Sequence, residues 1–266
     1  MLSLIPVELM HRLTPGVLLL CLAAVVPAGS RAETAAACDM PAEFTTPSDP
    51  LPRVAAALAS KAGVAILALG SGSTVGDSGG SGGPALTFRA PGASFPYRML
   101  EALRKMRPSQ RFELTVKGAR SMTAEVMLPI LRQELAAHHY DLVLWQTGTV
   151  EAVLGQRPDG LHAVLQDGAE ATAKAEADLV LIDPQFSRFL RANADLSPYE
   201  TVLQQMTGSP GVTLFHRFDL TQGWVTEGQI DLERVDKDQR DKTIAVLNNC
   251  LGQALAQFIL AGADQH

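Results

Sequence analysis

Apolar residues fall along this chain as short unbroken runs set between longer amphipathic stretches. Val64 to Leu69 (VAILAL), Arg111 to Val116, Asp141 to Gln146 (DLVLWQ), Asp178 to Ile182 (DLVLI) and Val212 to Phe215 read as five strands. A run without polar alternation is what a strand covered on both faces requires. Helical spacing occupies Val54 to Lys61, Phe95 to Met106, Thr123 to His138, Asp159 to Lys174 and Tyr199 to Met206, and Asp238 to Leu260 predicts a long closing helix. Pro129 must kink or shorten the third of these, and Gly70 to Gly92 reads as a long glycine-rich loop. Strands that alternate with helices predict an α/β domain over residues 54–262, a parallel sheet with helices on both faces. No internal repeat or interdomain linker interrupts it. Such sheets place their sites beyond the carboxyl ends of the strands. The segments of interest are therefore 70–76, 117–122, 147–152, 183–187 and the turn before the last helix.

Residues 1–32 follow a different pattern. Arg12 precedes an apolar run of ten residues, Val17 to Val26, and Ser30-Arg31-Ala32 offers small residues at the −3 and −1 sites. This is the layout of a secretory signal peptide cleaved near Ala32; the run is short for a stable membrane span, and an uncleaved anchor is the alternative. Export predicts a periplasmic or secreted protein. No later stretch is read as a membrane span. Residues 33–53, rich in Pro, Thr and Asp, read as an extended tail. Cleavage removes Cys21 and leaves Cys38 and Cys250 as an even pair in an oxidising compartment. The expectation is a Cys38–Cys250 disulfide that ties the tail to the last helix, the alternative being two separate buried thiols.

Composition narrows the class without naming it. Of 266 residues 47% are apolar and 19% charged, enough to bury a core and too ordered in pattern for a disordered chain. The formal charge of −6 becomes −7 once Arg12, Arg31 and Glu8 leave with the signal. An acidic balance argues against a nucleic-acid partner, which would need a basic face.

The strand ends carry recognisable text. After the first strand the chain reads Gly70-Ser71-Gly72-Ser73-Thr74-Val75-Gly76, after the third Trp145-Gln146-Thr147-Gly148-Thr149-Val150-Glu151-Ala152, and after the fourth Asp183-Pro184-Gln185-Phe186. This combination resembles the SGNH/GDSL hydrolase superfamily, in particular exported bacterial members, and the likeness runs from about Cys38 to Ile259. The resemblance implies a three-layer flavodoxin-like fold with strand order 2-1-3-4-5. It also implies ester hydrolysis by a Ser–His–Asp set without a cofactor or metal. Members of this type often accompany polysaccharide synthesis or modification.

Position by position, the chemistry implied by the resemblance is missing. The nucleophile position is Gly72, which has no hydroxyl to attack a carbonyl. The oxyanion-hole glycine of the second block falls on Ser121, whose backbone N–H remains a donor. The Asn donor of the third block falls on Val150, and loss of one such donor costs about 10²–10³ in rate. Counting back from Cys250, the Asp and His of the last block fall on Gln239 and Lys242, and no histidine stands between Arg217 and Gln265. Asp159-Gly160-Leu161-His162 spells the missing block, but at the start of the helix before the fourth strand, where Asp159 suits an N-cap.

The reading that follows is a superfamily relative with a degenerate catalytic set. It binds an acylated extracellular polysaccharide or assists the proteins that make or modify one. Two others stay open: a working esterase or deacetylase with Ser71 or Ser73 as relocated nucleophile and His216 as base, and a scaffold subunit of an envelope polysaccharide complex. Lys117, Arg120 and Thr149 are the candidate ligand contacts. A dinucleotide site on Gly70-x-Gly72 lacks the acidic residue after the second strand, no P-loop is present, and His138-His139 has no further ligands at metal-site spacing.

Overall fold

The computed structural model describes residues 38–76 and 93–265. The expected signal peptide, the start of the tail and residues 77–92 of the glycine-rich loop lie outside the described residues. In chain order the elements are α1 (Ala42–Thr45), α2 (Pro52–Ser60), β1 (Val64–Gly70), α3 (Gly72–Val75), α4 (Phe95–Met106), β2 (Phe112–Gly118), α5 (Ala124–Ala137) and β3 (Leu142–Gln146). They continue with α6 (Thr149–Leu154), α7 (Pro158–Lys174), β4 (Asp178–Ile182), α8 (Arg188–Asn193), α9 (Ser197–Met206), β5 (Val212–Phe215), α10 (Arg217–Thr226) and α11 (Arg240–Asp264). The five strands are parallel, in the order β2-β1-β3-β4-β5.

Each apolar run divides its residues between two cores, as strand alternation dictates. Val64, Ile66, Ala68, Leu142, Leu144, Val180, Ile182 and Phe215 face a layer built from α2, α4, α10 and α11. Leu67, Leu69, Val143, Trp145, Leu179, Leu181, Val212 and Leu214 face α5, α7 and α9. The second layer fits closely because Gly168 lies against the Trp145 ring: a Cβ there would stand 2.1 Å from Cζ3.

The tail departs from an extended reading. Residues 42–45 form the short helix α1, and α2 begins at Pro52, whose fixed φ and missing N–H suit a first helical position. The tail is fastened to the last helix by a Cys38–Cys250 disulfide, by Leu51 N–H donating to the Gly262 carbonyl at 2.9 Å, and by Gln265 reaching the Pro47 carbonyl. Trp224 is buried and donates through Nε1 to the Asp39 carbonyl at 2.6 Å, which ties α10 to the tail.

Other expectations shift by small amounts. α5 continues unbroken through Pro129; its start is held by Thr123 and by Ala124 N–H donating to Glu151. Asp159 lies inside the first turn of α7, after Pro158, and Arg157 takes the cap position. The stretch after the fifth strand, where the sequence pattern predicts no element, is the helix α10. Among the described residues α11 is long and apolar enough to cross a membrane by length and composition, which the sequence reading missed. More than half of that stretch is buried inside the domain, which accounts for its apolar character.

Candidate active site at the carboxyl ends of the strands

The parallel sheet delivers its strand ends to one rim, and β1, β3, β4 and β5 each leave polar residues there. β1 ends at Gly70, and Ser71 is the cap residue of α3, with Gly72 and Ser73 in its first turn. β2 ends at Gly118, with φ +129, where a Cβ would lie 1.8 Å from the Gly70 carbonyl oxygen. Only glycine lets the two strand ends approach so closely. Ser121, which the resemblance sets at the oxyanion position, follows with φ +61, a left-handed geometry that a glycine would adopt at less cost.

Gln146 closes β3 and is buried under α3. Its Oε1 accepts from Ser71 N–H and Ser71 Oγ, both at 3.2 Å, and from Thr74 Oγ1 at 3.1 Å. Ser73 takes a different partner: its Oγ accepts from Arg217 Nη1 at 3.2 Å. Arg217 is 1% exposed, follows the end of β5, and also donates from Nε to the Asp183 carbonyl at 3.0 Å, with the Phe95 ring 5.7 Å from its Cζ. Burial lowers its pKa to about 10, against the influence of Asp183.

Asp183 ends β4. Its Oδ1 accepts from Phe218 N–H at 2.8 Å, and its Oδ2 stands 4.0 Å from His216 Nδ1. His216 Nδ1 is also 3.9 Å from Asp219 Oδ2. Burial pushes the Asp183 carboxyl well above its ordinary range, and burial pushes His216 down while Asp219 opposes that shift. Glu200 of α9 is pushed up by burial and by Asp219. Among the described residues the rim beside β4 and β5 is therefore acidic, with His216 as its one imidazole.

Several predicted residues converge there and others do not. Gly72, Ser71, Ser73 and His216 share the rim. Among the described residues neither serine hydroxyl is hydrogen-bonded to a histidine. Val150 lies in α6 and contributes no polar group. Thr149 Oγ1 is buried without a partner, as is Thr147 Oγ1. Lys117 is drawn away from a ligand role: its Nζ pairs with Glu134 Oε1 at 2.8 Å, and this bond holds the Glu134 carboxyl below its ordinary range. Arg120 is exposed in the loop after β2. Gln239 and Lys242 lie on the exposed start of α11.

Sequence reasoning passed over Gln146, Arg217 and Glu151. Glu151 is buried and accepts from Gly148 N–H at 2.8 Å and Ala124 N–H at 2.5 Å, joining the starts of α6 and α5. A polar residue that ends an apolar strand was the available signal for Gln146, and no local signal marks Arg217. Among the described residues no group of three or more His, Cys, Asp or Glu side chains is arranged to hold a metal ion. An open hollow of about 570 Å³ lies at the opposite, amino end of the strands, between Arg53, Gly63, Arg111 and Glu176. Its charges are paired within it, Arg53 with Glu176 and Arg111 with Glu113. The strand-end rim, with its unpaired donors, is the better candidate.

Comparison with solved structures finds the same fold at low identity. The α/β hydrolase LAE5 from the metagenome of Lake Arreo, Spain, superposes with TM-score 0.53 at 17% identity, over 73% of this chain and 96% of that one. A catalytic mutant of Axe2, an acetylxylan esterase from Geobacillus stearothermophilus, gives 0.54 at 16% identity, over 73% and 94%. A two-domain esterase, CEX, active on acetylated mannans, gives 0.53 at 14% identity, over 78% of this chain and 54% of that one. No curated protein matches. The sequence description of the Non-GDSL lipase-like family matches residues 37–265, nearly the whole of what lies beyond the expected signal peptide, and the chain belongs to that family.

Proposed function

We propose that this protein is an exported, non-hydrolysing relative of the SGNH/GDSL esterases. It uses the strand-end rim to bind an acylated extracellular polysaccharide, or to present one to the proteins that modify it. The observation that carries this reading is the state of the three residues at the nucleophile turn. Gly72 has no nucleophilic atom, Ser71 is engaged by Gln146, and Ser73 is engaged by Arg217. A serine needs a base within hydrogen-bond reach to become a nucleophile. Both serines instead serve as partners of buried polar side chains, a structural use. Relatives of the same fold that act on acetylated xylan and mannan support a glycan ligand.

One observation favours a working hydrolase. His216 stands between Asp183 and Asp219, each about 4 Å away, and adjoins Arg217, the partner of Ser73. The deciding experiment measures hydrolysis of p-nitrophenyl acetate and of an acetylated xylan by the mature protein, beside Ser71→Ala and Ser73→Ala. The binding reading expects rates at the buffer level for all three. Turnover that one serine substitution abolishes overturns it and identifies the relocated nucleophile.

A further inference from the structure

The sheet ends in β2 on one side and β5 on the other, and the two edges differ. β5 is four residues long and wholly buried, whereas β2 is seven residues long and buried only at Phe112. Neither a proline nor a bulge interrupts β2, which pairs with β1 in continuous register. A long, regular edge strand is a template for another strand unless something blunts it.

The backbone of β2 has a definite phase. Val64 N–H donates to the Arg111 carbonyl at 2.9 Å, with Val64 opposite Phe112. The parallel ladder then turns the N–H and C=O groups of Glu113, Thr115 and Lys117 towards β1 and those of Leu114 and Val116 outwards. The Phe112 carbonyl agrees with this phase: it turns outwards and accepts from Arg104 Nη2 at 2.9 Å. Among the described residues the outward backbone groups of Leu114 and Val116 have no partner. Side chains follow the same alternation. Glu113, Thr115 and Lys117 border an open hollow of about 450 Å³ on one face, and Leu114 and Val116 lie half-buried against the first core on the other.

We propose that β2 pairs antiparallel with β2 of a second copy, about a two-fold axis at Thr115, so that one sheet runs through a homodimer. In that register Leu114 and Val116 of the second copy stand opposite each other and exchange both backbone hydrogen bonds, once on each side of the axis. Their side chains meet and extend the first core across the axis. On the other face Glu113 stands opposite Lys117 of the second copy, again twice. An axis at Glu113 or at Lys117 would set like charges opposite one another, which is destabilising. An axis at Leu114 or Val116 would set one of the two charges opposite Thr115. Only Thr115 makes the strand self-complementary. The charges are available for this: Lys117 pairs with Glu134 through one of its three N–H donors, and Glu113 pairs with Arg111 through one of its two oxygens. Because the strands are antiparallel, the carboxyl-end rims of the two copies face opposite ways.

Sedimentation of the mature, disulfide-bonded protein from about 1 μM to about 1 mM, the affinity range of a small interface, tests the proposal. The expected result is a concentration-dependent dimer. Glu113→Lys and Lys117→Glu, each set against its like charge, should weaken it at least tenfold. An equimolar mixture of the two variants should dimerise again, because both cross-strand pairs are then of opposite sign, and this rescue separates charge from misfolding. Thr115→Cys reads the register. Its Cα would stand about 4.5 Å from its copy, within disulfide reach, so mild oxidation should give a covalent dimer. Glu113→Cys, displaced from its copy along the strand, should not cross-link. Monomers at every concentration, a dimer indifferent to both charge substitutions, no rescue in the mixture, or cross-linking at Glu113→Cys as ready as at Thr115→Cys overturns the proposal. It stands apart from the glycan-binding reading, since neither ester turnover nor glycan affinity enters the measurement.

Discussion

Ser71 and Gln146 are joined twice: the backbone N–H and the Oγ of Ser71 both lie 3.2 Å from Gln146 Oε1. That single amide oxygen, which also accepts from Thr74, fixes the turn after β1 to the end of β3. Gln146→Leu keeps the volume and removes the acceptor, leaving a buried N–H and two hydroxyls to find new partners. At about 1–3 kcal/mol for each buried donor left unsatisfied, and allowing the hydroxyls to rotate, the loss should be about 2–4 kcal/mol. Urea denaturation measures it. A loss under about 0.5 kcal/mol would mean that the turn is held by its backbone alone.

The amino ends of the strands carry a pH-dependent group. Asp178 is buried, its Oδ2 accepts from Arg53 N–H and Val54 N–H, both at 3.0 Å, and burial still raises its pKa from 3.8 to about 6. The native state therefore holds this proton where the unfolded chain has released it. Its contribution to stability is complete below about pH 4 and falls as pH rises to about 6, by up to about 3 kcal/mol. The difference between wild type and Asp178→Asn, taken by denaturant midpoints from pH 4 to 7, isolates the group. A difference that stays flat across that window contradicts the assignment.

Trp145 and Gly168 test how tightly α7 sits on the sheet. A methyl at Gly168 would collide with the Trp145 ring. Gly168→Ala gains helix propensity of about 1 kcal/mol but overpacks the core at a typical cost of about 1–3 kcal/mol. The expected net result is a lower melting temperature, and Trp145→Phe in the same chain should recover part of it. A stabilised Gly168→Ala would show that the helix can lift without cost.

The disulfide closes a loop between positions 212 residues apart. Removing a native disulfide typically costs about 2–5 kcal/mol, and the chain-entropy account puts long loops at the upper end. Cys38→Ser should lower stability by that amount. The reductant-treated wild type should match Cys38→Ser in its denaturation midpoint, and a wild type indifferent to reductant would exclude a stabilising role.

Much of this architecture is readable without coordinates. The five apolar runs stand at β1 to β5 within a residue or two, because a strand buried on both faces tolerates almost no polar residue and so announces itself locally. Their alternation with helices leaves a parallel sheet as the economical solution, and the strand-end text around Gly70, Trp145 and Asp183 points to the family. The short helices α1, α6, α8 and α10 are less legible. α8 and α10 have few neighbours along the chain to mark them, and the capping groups of α6 come partly from Glu151, which also holds the start of α5.

The candidate site divides in the same way. The sequence by itself supplies the resemblance by which Gly72, Val150, Gln239 and Lys242 are expected at the superfamily's catalytic positions. The tertiary structure decides the partners of the polar residues around them. Lys117, a natural ligand contact by its place at a strand end, is turned to Glu134. Arg217, one position beyond His216, is folded inward to Ser73, which lies 144 residues earlier in the chain. Local pattern determines which segments become strands, because burial acts on each side chain as the chain runs. Which buried charge meets which hydroxyl depends on the order and register of the strands, and these arise only when all five lie side by side.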